Sequence, residues 1–261
     1  MFEPPPYTLP NLTTRWLGQP LFFTREVDST NRLLREMARE GATSGTVILT
    51  EYQHLGRGRQ GRGWNAPPGS SLLLSILLPP PTSSERYPLL PLVLAVAVAR
   101  TLENHLALEP AIKWPNDVLL GQRKCCGILV ESDWTGNVPT SVVAGIGLNV
   151  NQEVDAFETL PEATSLRLVR GTGVERGPLL AELLNETERT YDTFQKGWEP
   201  HEAWRKRATL LGQPILVQPA QGAPWRATAL DLSPDGRLLV QREDGQQEQV
   251  LAADVSIRFE P

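Results

Sequence analysis

Residues 56–64 combine four glycines, three arginines and a tryptophan in the order Gly-Arg-Gly-Arg-Gln-Gly-Arg-Gly-Trp. Glycine adopts positive φ and lets the backbone approach a ligand closely because it carries no Cβ. Peptide N–H groups in such a loop can converge on an anion, and each guanidinium can donate two hydrogen bonds to phosphate or carboxylate oxygens. Trp64 adds a flat face for a base or ring. This chemistry is typical of a loop that holds a small, multiply charged, nucleotide-like ligand.

Three other interpretations of this loop compete with that one. The string Gly-x-Gly-x-x-Gly matches the dinucleotide-binding fingerprint, but that fingerprint needs a helix to begin at its last glycine, and the prolines and glycines of residues 63–69 exclude one. A protein-kinase glycine loop is excluded because the chain contains neither His-Arg-Asp nor Asp-Phe-Gly. The alternative that stays open is a surface hairpin with solvated arginines.

Further polar residues stand where strands and helices are predicted to end. Lys113 lies in an apolar strand and is costly to bury unless it is paired, so it either contacts an anion or reaches solvent from an edge. Asn116 and Asp117 follow Pro115, which is typical of a turn as well as of a ligand contact. Ser29 and Thr30 precede an amphipathic helix, so either hydroxyl can cap that helix or face a ligand.

Composition and charge restrict the classes of partner. The 261 residues carry a formal net charge of −5, which argues against broad binding of nucleic acid or of anionic membranes. The two cysteines, Cys125 and Cys126, are adjacent and are expected to be reduced. The N-terminus lacks the basic and apolar regions of a signal peptide, and the longest apolar run, 89–99, is about half the ~20 residues of a membrane span. We therefore expect a cytoplasmic protein.

The order of predicted elements indicates an α+β fold, a mixed β-sheet with helices followed by a small β-barrel. Strands are predicted at 21–23, 46–50, 71–78, 112–120 with a corner at Pro115, 124–132 and 141–149, and helices at 31–38, 87–105, 179–198 and about 201–211. From residue 213 the pattern changes to short strands separated by turns, among them 215–217, 225–230, 238–240 and 249–251. We predict an N-terminal tail or short lead-in element (1–20), a catalytic domain (21–210) and an SH3-like barrel (211–261).

Five segments in this order resemble the motifs of biotin–protein ligases. Residues 56–64 resemble that family's Gly-Arg-Gly-Arg-x-Gly-Arg-x-Trp signature, and Lys-Trp-Pro-Asn-Asp at 113–117 resembles its second motif. Residues 124–131 are similar to its Lys-x-x-Gly-Ile-Leu-x-Glu strand, 145–151 to its Gly-x-Gly-x-Asn segment, and 28–31 to the entry to its first helix. The set covers residues 21 to about 205. The departures are the cysteine pair and the short segment before residue 21, which leaves no room for a helix-turn-helix domain.

The resemblance implies a fold like that of class II aminoacyl-tRNA synthetases and biotin–lipoate ligases, and a reaction in two steps. Biotin and ATP, with Mg²⁺, give biotinyl-5′-AMP, and a lysine of a biotin carboxyl carrier protein of acetyl-CoA carboxylase then takes the biotinyl group. It assigns catalysis to Arg59, Lys113 and Asp117, the last also a candidate Mg²⁺ ligand or proton acceptor. It assigns biotin and biotinyl-AMP to Ser29, Thr30, Asn31, Gln53, Gly56, Arg57, Gly58, Arg59, Lys113 and Gly127, and ATP to Arg62, Trp64, Asn116, Lys124 and Asn149.

Two other functions share this resemblance. A lipoate or octanoate–protein ligase would keep the fold and change the acid, and the arginine-rich signature with the C-terminal barrel favours biotin over it. A ligase that is also a DNA-binding repressor is disfavoured by the short N-terminal segment and the acidic charge, so we expect no nucleic-acid partner and no membrane partner. The resemblance suggests a homodimer or a monomer–dimer equilibrium.

Overall fold

A seven-stranded mixed sheet forms the centre of the computed structural model, which describes residues 2–136, 138–219, 222–252 and 255–259. Its strands are β1 (Leu21–Val27), β2 (Val47–Gln53), β3 (Ser71–Leu78), β4 (Pro110–Lys113), β5 (Asp117–Leu120), β6 (Arg123–Thr135) and β7 (Val138–Asn149). They lie in the order β1-β2-β3-β7-β6-β5-β4. Strands β1 and β2 run parallel and the other neighbours antiparallel, so the predicted mixed sheet is confirmed.

Helices cover both faces of this sheet. They are α1 (Thr30–Arg39), α2 (Leu90–Leu106), α3 (Leu166–Arg170), α4 (Arg176–Gln195) and α5 (His201–Arg205). Helix α1 packs on one face, where its Leu34 meets Ile48, Leu77 and Val143, and α2 and α4 pack together on the other face. Strand β3 is buried along its whole length because it is covered on both sides. Successive side chains of a strand point to opposite faces, so Ser75 shares the α1 face with Leu77.

Helix α2 continues a short 3₁₀ segment, Ser84–Leu89, into the core. By length and composition alone, the described residues contain one helical stretch that could cross a membrane, Ser84–Leu106, but 67% of its most apolar window is buried inside the protein. Leu90, Val93, Ala95 and further apolar residues of α2 are buried in the main core. This helix is therefore accounted for as a core helix. The α-helix begins at Leu90 and not at Tyr87 as predicted. The reason is that Pro88 and Pro91 have no N–H to donate to a helical hydrogen bond.

The predicted helix at 201–211 is wrong after Arg205. Helix α5 ends there, and the following residues run alongside strand β4, where the Ile112 N–H donates to Arg207 O at 2.7 Å. Isolated bridges then pair Ala208 with Ile112 and Leu211 with Ala229. Hydrogen bonds to strands on both sides replace those of a continued helix, so this segment joins the central sheet to the next one.

A second sheet of five antiparallel strands follows. Its strands are β8 (Pro214–Pro219), β9 (Trp225–Leu232), β10 (Leu238–Arg242), β11 (Gln247–Val250) and β12 (Val255–Phe259), in the order β11-β10-β9-β8-β12. This sheet corresponds to the small C-terminal β-domain predicted from the sequence. Strand β12 was not among the strands whose residues the sequence pattern predicted. The division of the chain at residue 210 stays a prediction.

The segment before β1 packs against α4. Leu17 is fully buried, and the backbone N–H groups of Arg15, Trp16 and Leu17 all donate to the Glu188 carboxylate at 2.9–3.0 Å. Burial alone would raise the pKa of Glu188, but these hydrogen bonds outweigh it and lower the pKa below its usual value. For this segment a tail or a short lead-in element was predicted. Residues 12–20 form a lead-in element, which the buried Glu188 carboxylate holds against α4.

Candidate active site

A cavity of about 550 Å³ lies between the central sheet, the start of α1 and the Gly-Arg segment. The corner between β4 and β5, residues 157–163, and Ile257 of the second sheet complete its wall. The predicted site residues that line it are Ser29, Thr30, Asn31, Gln53, Arg57, Gly58, Arg59, Arg62, Trp64, Lys113, Asn116, Asp117, Lys124, Gly127 and Asn149. Residues from five separate sequence motifs therefore meet at one cavity of a size typical for small-molecule sites.

The Gly-Arg segment, residues 56–64, is closed into an antiparallel hairpin. Gly58 N–H donates to Arg62 O at 2.7 Å, Trp64 N–H donates to Gly56 O at 2.9 Å, and a 3₁₀ turn covers Arg59–Gly61. Gly56 is not a lining residue: it lies at the base of the hairpin, where a Cβ would come within 2.2 Å of Trp64 O. Its predicted contact with the ligand stays a prediction, and what the structure shows is a requirement for close backbone approach. The segment is a hairpin, but its three arginines line the cavity rather than only facing solvent.

Arg59 connects the hairpin to two other parts of the protein. Its guanidinium donates to Asn116 Oδ1 at 3.2 Å and to the carbonyl oxygen of Ala252, which lies beyond β11. Burial lowers the pKa of Arg59 from its ordinary value, Asp117 opposes that effect, and Arg62 adds to it. The guanidinium remains a cation at neutral pH because its ordinary pKa is so high.

Trp64 rests on a floor of glycines in the central sheet. Gly127 of β6 and Gly147 of β7 are direct cross-strand partners, and a Cβ at either position would come within 2.8 Å of the Trp64 ring. Lys124 Nζ lies 5.5 Å from the centre of that ring. On the same face of β7, a Cβ at Gly145 would lie 2.4 Å from Asn31 Oδ1. The alternating glycines of the Gly-x-Gly-x-Asn segment are therefore needed because two side chains from other elements press against the strand.

Positive charge enters the cavity from the hairpin, from β4 and from β6. Among the described residues that line it, Arg57, Arg59, Arg62, Lys113 and Lys124 are cationic, and Asp117 and Glu162 are acidic. Lys124 Nζ forms an ion pair with Asp117 Oδ1 at 2.5 Å. In a protein with a net charge of −5, this excess of cations makes an anion site. Asp117 is held by a lysine, so it presents a paired carboxylate to the cavity.

Two asparagines of the site are engaged with the protein itself. Asn116 Nδ2 donates to Ile128 O at 2.6 Å while its Oδ1 accepts from Arg59. Asn149 Nδ2 donates to Thr164 O at 3.0 Å, and its Oδ1 accepts from Gln152 Nε2 at 2.8 Å. Both side chains are more than nine-tenths buried. Their direct contact with ATP stays a prediction, and their observed contacts brace the corner and the end of β7.

The far end of the cavity carries neutral polar groups. Ser29 is the N-cap residue of α1, yet its side chain makes no capping hydrogen bond. The Gln53 carbonyl Oε1 instead accepts the Thr30 N–H at 2.9 Å, so a residue from β2 satisfies the first turn of α1. Asn31 Nδ2 donates to Leu129 O at 3.2 Å and to Glu131 Oε2 at 2.9 Å.

Several residues of this site were not predicted as site residues. Ser75 is fully buried beneath Thr30 and Asn31, and the signal for it was a hydroxyl within the run of leucines in β3. Glu131 contacts Asn31, Arg35 and Arg57, although it was noted only as part of a motif. Phe157, Leu160, Glu162 and Ala163 also line the wall; no local pattern marks them, because the hydrogen bond of Lys124 N–H to Glu162 O brings this segment to β6.

Comparison with known proteins finds similarity in the central sheet and in the C-terminal sheet. Residues 23–149 match the model of the biotin/lipoate A/B protein ligase family, and residues 210–258 match the biotin protein ligase C-terminal domain. The chain is 32% identical to a bifunctional ligase/repressor BirA from Bacillus spizizenii over 94% of this chain and 76% of that protein. It is 33% identical to a biotin–[acetyl-CoA-carboxylase] ligase from Mycobacterium tuberculosis over 82% of this chain and 80% of that one.

Comparison with solved structures leads to the same family as the sequence comparisons. A biotin protein ligase from Aquifex aeolicus, solved in complex with biotin and ATP, superposes with a TM-score of 0.77 at 28% identity, covering 92% of this chain and 99% of that structure. The similarity spans the central sheet and the C-terminal sheet together, and it includes the segments that meet at the cavity. The chain belongs to the biotin protein ligase family.

Proposed function

We propose that this protein uses ATP to activate biotin as biotinyl-5′-AMP and transfers the biotinyl group to a lysine of the biotin carboxyl carrier protein of acetyl-CoA carboxylase. The observation that supports this function is the lining of the cavity, which combines neutral hydrogen-bonding groups from the start of α1 and the end of β2 with five cations from the hairpin, β4 and β6. A ligand with an uncharged polar ring, an apolar chain and a carboxylate that meets a triphosphate fits that combination.

The first step depends on electrostatics and positioning. A carboxylate is ionised at neutral pH, so its attack on the α-phosphate needs no base. The barrier arises because an anion must approach a triphosphate in line, and fixed positive charge is the resource that lowers it. Lys113 ends β4 at the cavity wall, and we assign it to the biotin carboxylate and then to the α-phosphate.

We assign the remaining residues by their place along the cavity. The neutral end, with Ser29, Thr30, Asn31 and Gln53, takes the ring system, and Gly127, beneath Trp64, contacts biotin where its chain meets the adenylate. Arg57, Gly58 and Arg59 cover the acyl chain and the adenylate. The nucleotide side is assigned to Arg62, Trp64, Asn116, Lys124 and Asn149. Of these, Asn116 acts through the corner between β4 and β5, and Asn149 acts through the end of β7.

Mg²⁺ fits this site as a companion of ATP. The described residues contain no group of three or more His, Cys, Asp or Glu side chains that could hold a metal ion. Mg²⁺ is commonly bound by one or two carboxylates together with substrate phosphates, and Asp117 is a lining carboxylate on the cationic side. The ion would supply positive charge to the leaving pyrophosphate.

The role of Asp117 in the second step is a choice between two tasks. A proton acceptor for the incoming lysine needs a free carboxylate, whereas the carboxylate of Asp117 forms an ion pair with Lys124. We therefore assign Asp117 mainly to the orientation of Lys124.

Biotin-dependent exchange of pyrophosphate into ATP tests this function. We expect exchange with biotin, and none above background with lipoate or octanoate at the same concentration. Exchange with lipoate alone would contradict the proposal and support the alternative ligase. The match to a biotin protein ligase C-terminal domain favours biotin. Carrier identity, a cytoplasmic location and a homodimer stay predictions.

A further inference from the structure

Gln152 is a buried glutamine that lies just after β7, where the chain turns into the cavity wall. Only 2% of its surface is exposed, and it is not a lining residue of the cavity. Its Nε2 donates to Ser71 Oγ at 2.6 Å and to Asn149 Oδ1 at 2.8 Å, while its Oε1 is buried without a hydrogen-bond partner among the described residues. An unpaired buried acceptor is costly, so the role of this side chain lies in the two bonds that its Nε2 donates.

The Asn149 side chain has one orientation in this network. Its Nδ2 is 3.0 Å from Thr164 O, and a backbone carbonyl only accepts, so Nδ2 is the donor and Oδ1 faces Gln152. That Oδ1 is also only an acceptor, and the group of Gln152 next to it is therefore the Nε2 donor. Gln152 thus stabilises the orientation in which Asn149 binds the backbone of Thr164.

The wall segment, residues 153–163, is closed at its base by this bond between Asn149 and Thr164. A second bond at the base runs from Ser165 Oγ to Gln152 O at 2.7 Å, so the two ends of the segment are joined to each other. The residues between these ends supply part of the cavity wall. Gln152 therefore acts at the point where the wall segment leaves the sheet.

Lys124 connects the wall segment to the cationic side of the site. Its backbone N–H donates to Glu162 O at 2.7 Å, and its backbone O accepts from the Thr164 N–H at 2.9 Å. Its side chain forms the ion pair with Asp117 in the cavity. A shift of Thr164 would therefore move the backbone from which the Lys124 ammonium group extends.

We propose that Gln152 is a positioning residue for the nucleotide half of the reaction: by orienting Asn149 it holds the wall segment against Lys124, and so it sets the affinity of the site for ATP. This inference rests on the proposed function, in which Asn149 and Lys124 are assigned to the nucleotide side. The neutral end is held by a separate contact, the bond from Thr30 N–H to Gln53, so biotin binding should not depend on Gln152.

A comparison of ATP with biotin tests the proposal. Gln152→Leu keeps the approximate size of the side chain and removes its Nε2 donor, which leaves the buried Oδ1 of Asn149 unpaired. In biotin-dependent pyrophosphate exchange, we expect KM for ATP to rise roughly tenfold, as for an unpaired buried acceptor, with a smaller fall in kcat. Calorimetry without ATP should give the wild-type Kd for biotin. Gln152→Asn, whose amide is one methylene shorter, should raise KM for ATP in the same way and supplies the test if Gln152→Leu does not fold.

A matched control separates this effect from a loss of stability. Gln195 at the end of α4 also uses its amide to hold a loop: Nε2 donates to Pro80 O at 2.9 Å, and Oε1 accepts the Thr82 N–H at 3.3 Å. None of these three residues lines the cavity, so Gln195→Leu should leave KM for ATP at the wild-type value. If Gln152 is only structural, its variants lower the folded fraction and hence kcat while KM for ATP stays unchanged, and that result overturns the proposal. An equal loss of affinity for biotin and ATP overturns it as well.

A double-mutant cycle supplies a second measurement. If Gln152 acts through Asn149, then Gln152→Leu should raise KM for ATP in the wild-type background but not in Asn149→Ala, which has no amide to orient. Additive rises overturn the proposal. Absence of biotin-dependent exchange in wild-type protein overturns the proposed function itself, whereas normal wild-type exchange with an unchanged KM for ATP in Gln152→Leu overturns only the role of Gln152.

Discussion

The two ends of the cavity hold their polar groups in different ways. At the neutral end, Thr30, Asn31 and Ser75 are more than nine-tenths buried and hydrogen-bonded to one another or to the sheet. Among the cations of the cavity wall, which form its cationic end, about half of the Arg57 side chain is exposed and its contact with Glu131 is 3.5 Å long. Rigid dipoles suit a ring that keeps its structure through the reaction. Longer charged side chains suit a triphosphate that is split during it. The contrast predicts that changes at the cationic end affect chemistry, whereas changes at the neutral end affect selectivity.

Lys113→Ala should cause the largest loss of activity, because it removes a cation from the cationic end of the cavity. Removal of one preorganised donor to developing charge costs ~10²–10³-fold in rate, and we expect biotin-dependent pyrophosphate exchange to fall by that factor. Lys206→Ala is a matched control, since Lys206 is 69% exposed and pairs with Glu202 on α5. A loss below tenfold in Lys113→Ala would show that this lysine reaches solvent rather than substrate.

Gly147→Ala should disturb the glycine floor that supports Trp64. The added Cβ would lie 2.6 Å from Trp64 Cε2, so the ring must shift. A misplacement of about 1 Å can cost ~10²-fold in rate, which is the loss we expect in the exchange assay. Gly173→Ala is the control, because its nearest neighbour would be 3.5 Å away. Equal activity of both variants would contradict a role for the floor.

Arg59→Gly should separate formation of the intermediate from its retention. Loss of the guanidinium removes a charge-assisted contact of ~1.5–3 kcal/mol, so biotinyl-AMP should still form but leave about 10- to 100-fold faster. The measurement is biotin incorporation into bystander lysines of an added protein, with Arg62→Gly for comparison. Labelling confined to the carrier protein would mean that Arg59 does not retain the adenylate.

Asp117→Ala should have a smaller effect that distinguishes its two assigned tasks. Removal of a partly exposed ion pair worth ~1 kcal/mol should slow adenylation about fivefold through the release of Lys124. Single-turnover rates of the two half-reactions are the readout. A general base contributes ~10²–10⁴-fold, so a loss of that size confined to the transfer step would make Asp117 the proton acceptor. Unchanged rates in both steps would exclude either role.

Glu188→Gln should leave both ends of the cavity unchanged while it weakens the fold. It removes charge-assisted bonds to three backbone N–H groups, and we expect the free energy of unfolding to fall by about 2 kcal/mol at pH 7. Because the pKa of Glu188 is lowered in the folded state, its contribution is complete above the unfolded pKa near 4.5 and declines as the pH falls through the folded value. The difference between wild type and variant should therefore shrink below that pH.

Denaturant unfolding at pH 7 and pH 3 measures this difference, with Glu182→Gln as the control. Glu182 contacts Arg189 on the helix surface, so its variant should change stability by less than ~0.5 kcal/mol. A Glu188 effect that is the same at both pH values would contradict the assignment of the lowered pKa. Altered exchange activity would show that the lead-in element reaches the site.

Local chemistry accounts for what was predictable in this site. Arginines and glycines at 56–64, Lys113 and the Gly-x-Gly-x-Asn segment carry their chemistry in residue type and spacing, and these segments do line one cavity. The capping of α1 was not predictable, because the acceptor for Thr30 N–H comes from Gln53 on β2. The helix predicted beyond Arg205 failed for the same reason: pairing with β4 outweighed a local helical pattern.

The sequence by itself determined which groups the protein has for binding an anion and a polar ring, and the order of its strands and helices along the chain. Only the tertiary structure decided how those groups are committed: Asp117 to Lys124, Asn116 to Arg59, and the Ser75 hydroxyl to Asn31. The physical reason is that a hydrogen bond or ion pair depends on distances of about 3 Å between residues far apart in the chain. Residue types state which groups can donate or accept, and the packed sheet selects the partner of each.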